Sequence, residues 1–348
     1  MRVETEIVRV PLREPFRIAR DENPEVATTV IVELELDGAI GRGEAFPVAY
    51  YGETATTVQA VLPLLVDSLA ELGAPPAERA PALAWLERAS ALMDASLGHN
   101  GGAKCALDMA LHDICGQRLG LPLHALLGMD GAVPPTDFSL GLDAPDVVAE
   151  RARRAAHFPA LKIKVGGADD VRTLEAVRGV YDGPLRVDAN TGWRLDEGLE
   201  LLPELERLGV ELIEQPFRAD EIGELRRLQE ATRLPIVADE SAVVITDLDR
   251  LAGVVAGVNV KLAKCGGVGP ALRMIRRARE LGFRVMLGCM EETSLGIRAA
   301  VAIASLAEWV DLDGCLLLAE DPFAGLELDG DCRWRQPETP GLGLRRVA

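Results

Sequence analysis

Three carboxylates and three lysines recur at a spacing that suits one metal-assisted proton-transfer site. Asp188, Glu214 and Asp239 close the β-rich runs LRVDAN, VELIEQP and PIVADES, at steps of 26 and 25 residues. Lys162 and Lys164 end the run ALKIKV, and Lys261 lies in VNVKLAK. If each step is one strand-helix unit, all six groups meet at one rim. Three uncompensated carboxylates there would repel one another at short range and low dielectric. A hard divalent cation relieves that repulsion. Oxygen ligands with room for water and substrate suit Mg²⁺, whereas Zn²⁺ prefers His or Cys, and none of the four histidines lies on these strand ends. Any one acid alone could equally cap the helix that follows it; the shared spacing favours the metal reading.

Strands two and six of an eight-strand ring stand nearly opposite, so Lys164 and Lys261 would face the two sides of a substrate held between them. Such a pair suits racemisation or epimerisation, one amine removing an α-proton and the other returning a proton to the opposite face. Lys162, two residues from Lys164, points the same way along a strand. With the cation it would stabilise an enediolate. Crowded positive charge is expected to lower one lysine's pKa toward neutrality. A K-x-K strand by itself is weak, because surface strands carry such pairs. Asp311 and Asp313 in WVDLDG also point inward, where a substrate ammonium group would be their natural partner. A capping or turn role beside Gly314 competes.

Eight β-rich runs are needed to hold these groups, and the sequence supplies them after Gly131: 137–142, 160–165, 185–190, 210–216, 235–241, 258–264, 284–289 and 309–314. Helix-length segments separate them at a step near 25 residues, which reads as parallel βα units closing a barrel. The last run leads into LLLAEDPFAGLELDGD rather than a full helix, so the expected fold is α/β, a (β/α)7β modified TIM barrel with seven helices. An open doubly wound sheet competes, but KCGGVGPALR lacks the G-x-G-x-x-G spacing. Residues 1–45 alternate as antiparallel strands around an Asp37-Gly38 hairpin, and 54–127 follow helical spacing. The expected domains are an α+β capping domain, 1–127 completed by 321–348, and a catalytic barrel, 128–320.

The 348 residues carry a net charge of −18, which disfavours nucleic acid and anionic membrane surfaces as partners and favours cationic ligands. The six cysteines form no C-x-x-C pair, so reduced thiols and a cytoplasmic location are expected. The first residues lack an apolar leader region, and no uninterrupted apolar stretch approaches 18 residues.

The segments AKCALDMALHDICGQRLGLPLHALLG, LKIKVGG, VDAN, IEQP, ADES, KLAKCGG and GCMEET together resemble the enolase superfamily, in its muconate-lactonizing subgroup, over essentially the whole chain. The resemblance implies Mg²⁺ held by Asp188, Glu214 and Asp239, an acid/base pair of Lys164 and Lys261, and Lys162 near the enolate oxygen. Within the subgroup, WVDLDG resembles the dipeptide epimerases. That implies Asp311 and Asp313 on the substrate α-ammonium, and contacts from Ser139 and Cys289. The implied activity inverts the α-carbon of the C-terminal residue of a dipeptide by two-lysine 1,1-proton transfer. Muconate cycloisomerase and o-succinylbenzoate synthase are the alternatives; they share the metal and lysines but bind no free ammonium. Loops 17–26 and 47–56 would close over the substrate. Ala-Glu epimerases resemble one another in an arginine on the first loop. Here Arg17 and Arg20 are followed by Asp21, Glu22 and Glu25, a departure. Glu291 stands at a position variable in the family and facing the substrate side chain, so it favours a cationic dipeptide. A homo-oligomer, dimer or larger ring, is implied by resemblance only.

Overall fold

The computed structural model describes residues 1–20 and 25–347. It opens with three antiparallel strands, β1 (Arg2–Pro11), β2 (Val26–Leu36) and β3 (Ala39–Ala45), with β2 central. Asp37 and Gly38 turn the hairpin with φ of 52° and 78°, left-handed backbone that an Asp-Gly pair adopts at little cost. Helices α1 (Ala55–Ser68), α2 (Arg79–Ser96), α3 (Gly101–Leu119) and α4 (Leu123–Leu127) follow. The α3 helix lies so close to β3 that a Cβ on Gly41 would stand 2.1 Å from the Ala110 carbonyl oxygen. One on Gly43 would stand 1.9 Å from that of Ala106. The residues from Ala55 to Leu72 are long and apolar enough to cross a membrane by length and composition alone. In the fold, α1 turns Val58, Leu62, Leu65 and Val66 into the core, the amphipathic pattern of a packed helix.

The second part alternates strand and helix. In order these are β4 (Phe138–Leu140), α5 (Pro145–Arg154), β5 (Leu161–Lys164), α6 (Asp170–Arg178), β6 (Leu185–Asp188), α7 (Leu195–Arg207), β7 (Val210–Glu214) and α8 (Ile222–Ala231). The series continues with β8 (Ile236–Ala238), α9 (Leu248–Leu251), β9 (Gly257–Lys261), α10 (Leu262–Cys265), α11 (Val268–Glu280), β10 (Arg284–Gly288), α12 (Ser294–Val301), β11 (Trp309–Asp311) and α13 (Gly314–Leu317). The eight strands from β4 to β11 form one parallel sheet in sequence order. The Asp137 N–H donates to the Val310 carbonyl at 3.0 Å, bringing the last strand to the first. This is the expected (β/α)7β architecture, with a helix in each of seven connections.

The strands are shorter than the sequence runs that announce them, and the functional ends explain why. Asn190, Thr191 and Gln215 have φ of 43°, 67° and 33°, so the chain leaves the sheet immediately past Asp188 and Glu214. Such backbone is strained for a β-branched residue like Thr191.

Capping-domain carboxylates fasten the two parts together. Glu44, at the end of β3, is fully buried and accepts from the Thr293 and Gly296 N–H groups at 3.0 and 2.9 Å. It also accepts from the Thr293 and Thr29 hydroxyls at 2.6 and 2.8 Å. Asp108 of α3 accepts from the Val268 and Gly269 N–H groups at 2.6 and 3.3 Å. Each acid therefore satisfies free donors at the start of a barrel helix, α12 or α11. Asp113 accepts from Arg42 N–H at 3.0 Å and Leu342 N–H at 2.8 Å, drawing the C-terminal segment back onto the first module.

Glu44→Ala would leave those buried N–H groups without acceptors. The expected result is a loss of about 2 kcal/mol or more, read as a lower urea midpoint.

Candidate active site

The strand ends open into a cavity of about 720 Å³ between barrel and capping domain, lined by Lys162, Lys164, Lys261, Asp239, Asp311 and Asp313. Ser139, Cys289 and Glu291 line it as well. Asp188 and Glu214 are fully buried beneath. The register explains the convergence: Lys164 pairs with Asp188 across β5 and β6, and Asp188 with Glu214 across β6 and β7.

Each carboxylate is engaged on both oxygens. Asp188 accepts from Lys164 Nζ at 2.6 Å and from Asn190 N–H at 2.9 Å. Glu214 accepts from Asn259 Nδ2 at 2.6 Å and Lys162 Nζ at 3.4 Å. Asp239 faces Lys261 Nζ at 3.0 Å and bonds Lys264. No group of three His, Cys, Asp or Glu converges on one ion position among the described residues; ammonium groups stand between the acids instead. The donor chemistry nevertheless fits a hard divalent cation. Burial, with Asp188 and Asp239 beside it, raises the Glu214 carboxyl to about 7, a charge excess that a cation would relieve. Two buried acceptors at the same rim, Asn190 Oδ1 and Glu240 Oε2, have no protein partner among the described residues.

Among the protein's own groups, the charge around two of the lysines favours the ammonium form. Burial works to lower Lys162 and Lys261, but Asp311, Glu214 and Asp188 around the first, and Asp239 and Glu214 around the second, outweigh it and hold both above the ordinary range. The reason is the acid crowd, which outnumbers the amines within reach.

Asp311 and Asp313 both line the cavity, Asp311 at the end of β11 and Asp313 just past it, at the N-cap position of α13 but without a side-chain capping bond. Asp311 bonds Lys162 and accepts from the Ser139 hydroxyl at 3.3 Å; Asp313 accepts from Ser139 N–H at 2.6 Å. Despite burial, Lys162 and Lys261 hold Asp311 below the usual carboxyl range, while burial and the Asp311 charge push Asp313 above it. The pair thus presents one anion and one easily protonated acid. Arg17 pairs with Asp143 at 3.7 Å and does not line the cavity, whereas Arg20 does. Asp21 and Glu22 lie outside the described residues; Glu25 is exposed.

Two family models account for most of the chain: "Mandelate racemase / muconate lactonizing enzyme, N-terminal domain" over residues 2–128, and "Enolase C-terminal domain-like" over 147–346. This chain belongs to the mandelate racemase / muconate lactonizing enzyme family of the enolase superfamily. The L-Ala-D/L-Glu epimerase of Bacteroides thetaiotaomicron is 35% identical over 97% of this chain and 85% of that protein. The L-Lys-D/L-Arg epimerase of Methylococcus capsulatus is 37% identical over 96% and 95%. The dipeptide epimerase of Enterococcus faecalis, in complex with Mg and the dipeptide L-Leu-L-Tyr, superposes with a TM-score of 0.89 at 31% identity, covering 98% of each chain.

Within this family frame, several residues that the spacing did not single out hold the site together. Lys264, fully buried on α10, also donates to the carbonyls of Asp239, Asn259 and Ala242 at 2.7, 3.0 and 3.1 Å. Its signal was present as K-x-x-K, one helical turn from Lys261. Gln215 accepts from Asp239 N–H and Ser241 N–H at 2.9 and 3.0 Å, tying two strand ends together. Glu292, next to Glu291, is buried near Glu44, and its Oε2 accepts from Met290 N–H at 3.0 Å. Burial and the Glu44 charge push its carboxyl up to about 8.

A carboxyl raised in the folded state favours folding fully below its unfolded pKa and loses that advantage as pH rises through the folded value. Wild-type melting temperature is therefore expected to fall between about pH 4.5 and 8 by a component that Glu292→Gln removes. Parallel melting curves for variant and wild type across that window would contradict the assignment.

Proposed function

We propose that this protein is a Mg²⁺-dependent dipeptide epimerase that inverts the α-carbon of the C-terminal residue. The observation that carries the reading is that amines from opposite strands, Lys164 and Lys261, line one cavity with the paired acids Asp311 and Asp313. A cycloisomerase has no ammonium group for that acid pair to hold, and the named relatives above act on dipeptides. In this reading Asp188, Glu214 and Asp239 would hold Mg²⁺, which when bound would supply positive charge that favours loss of the α-proton.

This chain's own residues supply the rest. Asp311 and Asp313 receive the α-ammonium group, with Ser139 holding Asp313 by its N–H and Asp311 by its hydroxyl. Cys289 packs at the same wall. Lys162 donates to the carboxylate oxygen on which charge develops. The neutral amine of Lys164 or Lys261 removes the α-proton from one face, and the ammonium of the other returns a proton to the opposite face. The two exchange roles with the stereoisomer entering. Glu291 faces the cavity, and an acid there supports a preference for cationic dipeptides. The division into a capping domain, 1–127 with 321–348, and a catalytic barrel, 128–320, accompanies this reading. The six free cysteines support a cytoplasmic location.

Incubation with Mg²⁺ and a library of L,L-dipeptides in D₂O is expected to place deuterium at the C-terminal residue's α-carbon; its absence throughout the library would sink the proposal. In the same assay, Lys164→Ala and Lys261→Ala should each slow epimerisation by about 10³-fold while sparing α-proton exchange from one stereoisomer.

Glu291→Gln is expected to lower kcat/KM for Lys- or Arg-containing dipeptides by about tenfold and to leave neutral ones near wild type. A uniform effect would refute its part in selectivity.

A further inference from the structure

The arginine on the first capping loop has its charge already matched. Arg20 donates from Nη1 to Glu240 and to the Asn190 carbonyl oxygen at 3.1 Å. Its guanidinium carbon lies 4.5 Å from the centroid of the Tyr50 ring, within cation–π range. Arg20 and Tyr50 come from two separate stretches of the capping domain. Glu240 directly follows Asp239, and Asn190 lies two residues past Asp188. The Glu240 side chain is fully buried. Its Oε2 has no partner, and its Oε1 has, besides Arg20, only Asn190 Nδ2 at 3.4 Å among the described residues. Arg20 is therefore the main compensation for a buried negative charge. Arg218, which also lines the cavity, faces Asp220 at 3.6 Å.

An arginine whose charge is already matched by a buried carboxylate attracts an acidic substrate side chain weakly; here Glu240 holds Arg20, and releasing it would strand that carboxylate. We propose that Arg20 is a positioning residue whose pairing with Glu240, stacked on Tyr50, fastens the capping domain to the strand ends bearing Asp188 and Asp239. The same pairing withholds it from acidic side chains, so the dipeptides turned over are neutral or cationic. This deepens, and rests on, the epimerase reading.

The test compares epimerisation of L-Ala-L-Glu, L-Ala-L-Leu and L-Ala-L-Lys by the full-length protein with Mg²⁺, alongside Arg20→Met, Arg20→Lys, Tyr50→Leu and the double variant Arg20→Met/Glu240→Gln. Wild type is expected to favour the Leu and Lys dipeptides over L-Ala-L-Glu by at least about tenfold in kcat/KM. Arg20→Met should raise KM for Leu and Lys dipeptides alike, by about tenfold, with a smaller effect on kcat. Arg20→Lys, which keeps the charge without the fork, should fall between. The double variant should recover part of the loss, because it removes the stranded charge. Selective loss of L-Ala-L-Glu turnover in Arg20→Met, with the other two unchanged, would overturn the proposal; so would additive effects in the double variant. If Arg20→Met does not fold, Tyr50→Leu carries the comparison: a rise in KM shared by the Leu and Lys dipeptides supports the proposal, and an unchanged KM overturns it. If wild type exchanges no α-proton in any dipeptide, the epimerase reading fails by itself. Thermal unfolding then still reads the pairing, through partial recovery of melting temperature in the double variant against simple additivity.

Discussion

Buried charge of both signs, gathered at one end of a barrel, is the constraint on which the molecule depends. Asp188, Glu214 and Asp239 are each almost wholly removed from water, and each has an amine or amide directed at it. Isolated carboxylates would not stay ionised in that setting. Lys162, Lys164, Lys261 and Lys264 balance them, so the site is a network of alternating charge in which moving one group disturbs several.

Two capping-domain carboxylates tie that domain to the barrel helices beside this site. Glu44 and Asp108 reach from β3 and α3 to the first turns of α12 and α11, where N–H groups have no intrahelical acceptor. The α12 helix begins directly after the segment that carries Cys289 and Glu291, so the Glu44 contact anchors the chain just past those cavity residues. Glu292 belongs to the same junction. Its elevated carboxyl links the ionisation of a buried acid to the fit of the two domains.

Much of this was legible in the order of residues. The eight-strand barrel, the helical segment in each of its seven connections and the antiparallel first module follow from patterning with periods of 2 and about 3.6. The strand ends were overextended. Runs such as LRVDAN look like continuous strand, but Asn190 and Thr191 adopt left-handed backbone; Asn takes that conformation readily, whereas a β-branched residue such as Thr191 gives no such signal. Spacing tells which groups meet, not how many acids surround each amine once all are buried, and the protein's own carboxylates hold Lys162 and Lys261 above the ordinary range.

What the sequence by itself determined is the chemical inventory and its placement: three acids, three lysines and the Asp311–Asp313 pair, one strand unit apart and on inward positions. The alternation of side chains along a strand and the near-constant length of a strand-helix unit are local properties, so they survive in one dimension. Only the tertiary structure decided the pairings. Arg20 and Glu240 are 220 residues apart, Glu44 and Thr293 are 249 apart, and the choice of Lys264 for Asp239 needs a buried turn of helix. Such contacts depend on which surfaces lose water together, and burial is a property of the packed chain rather than of any segment within it.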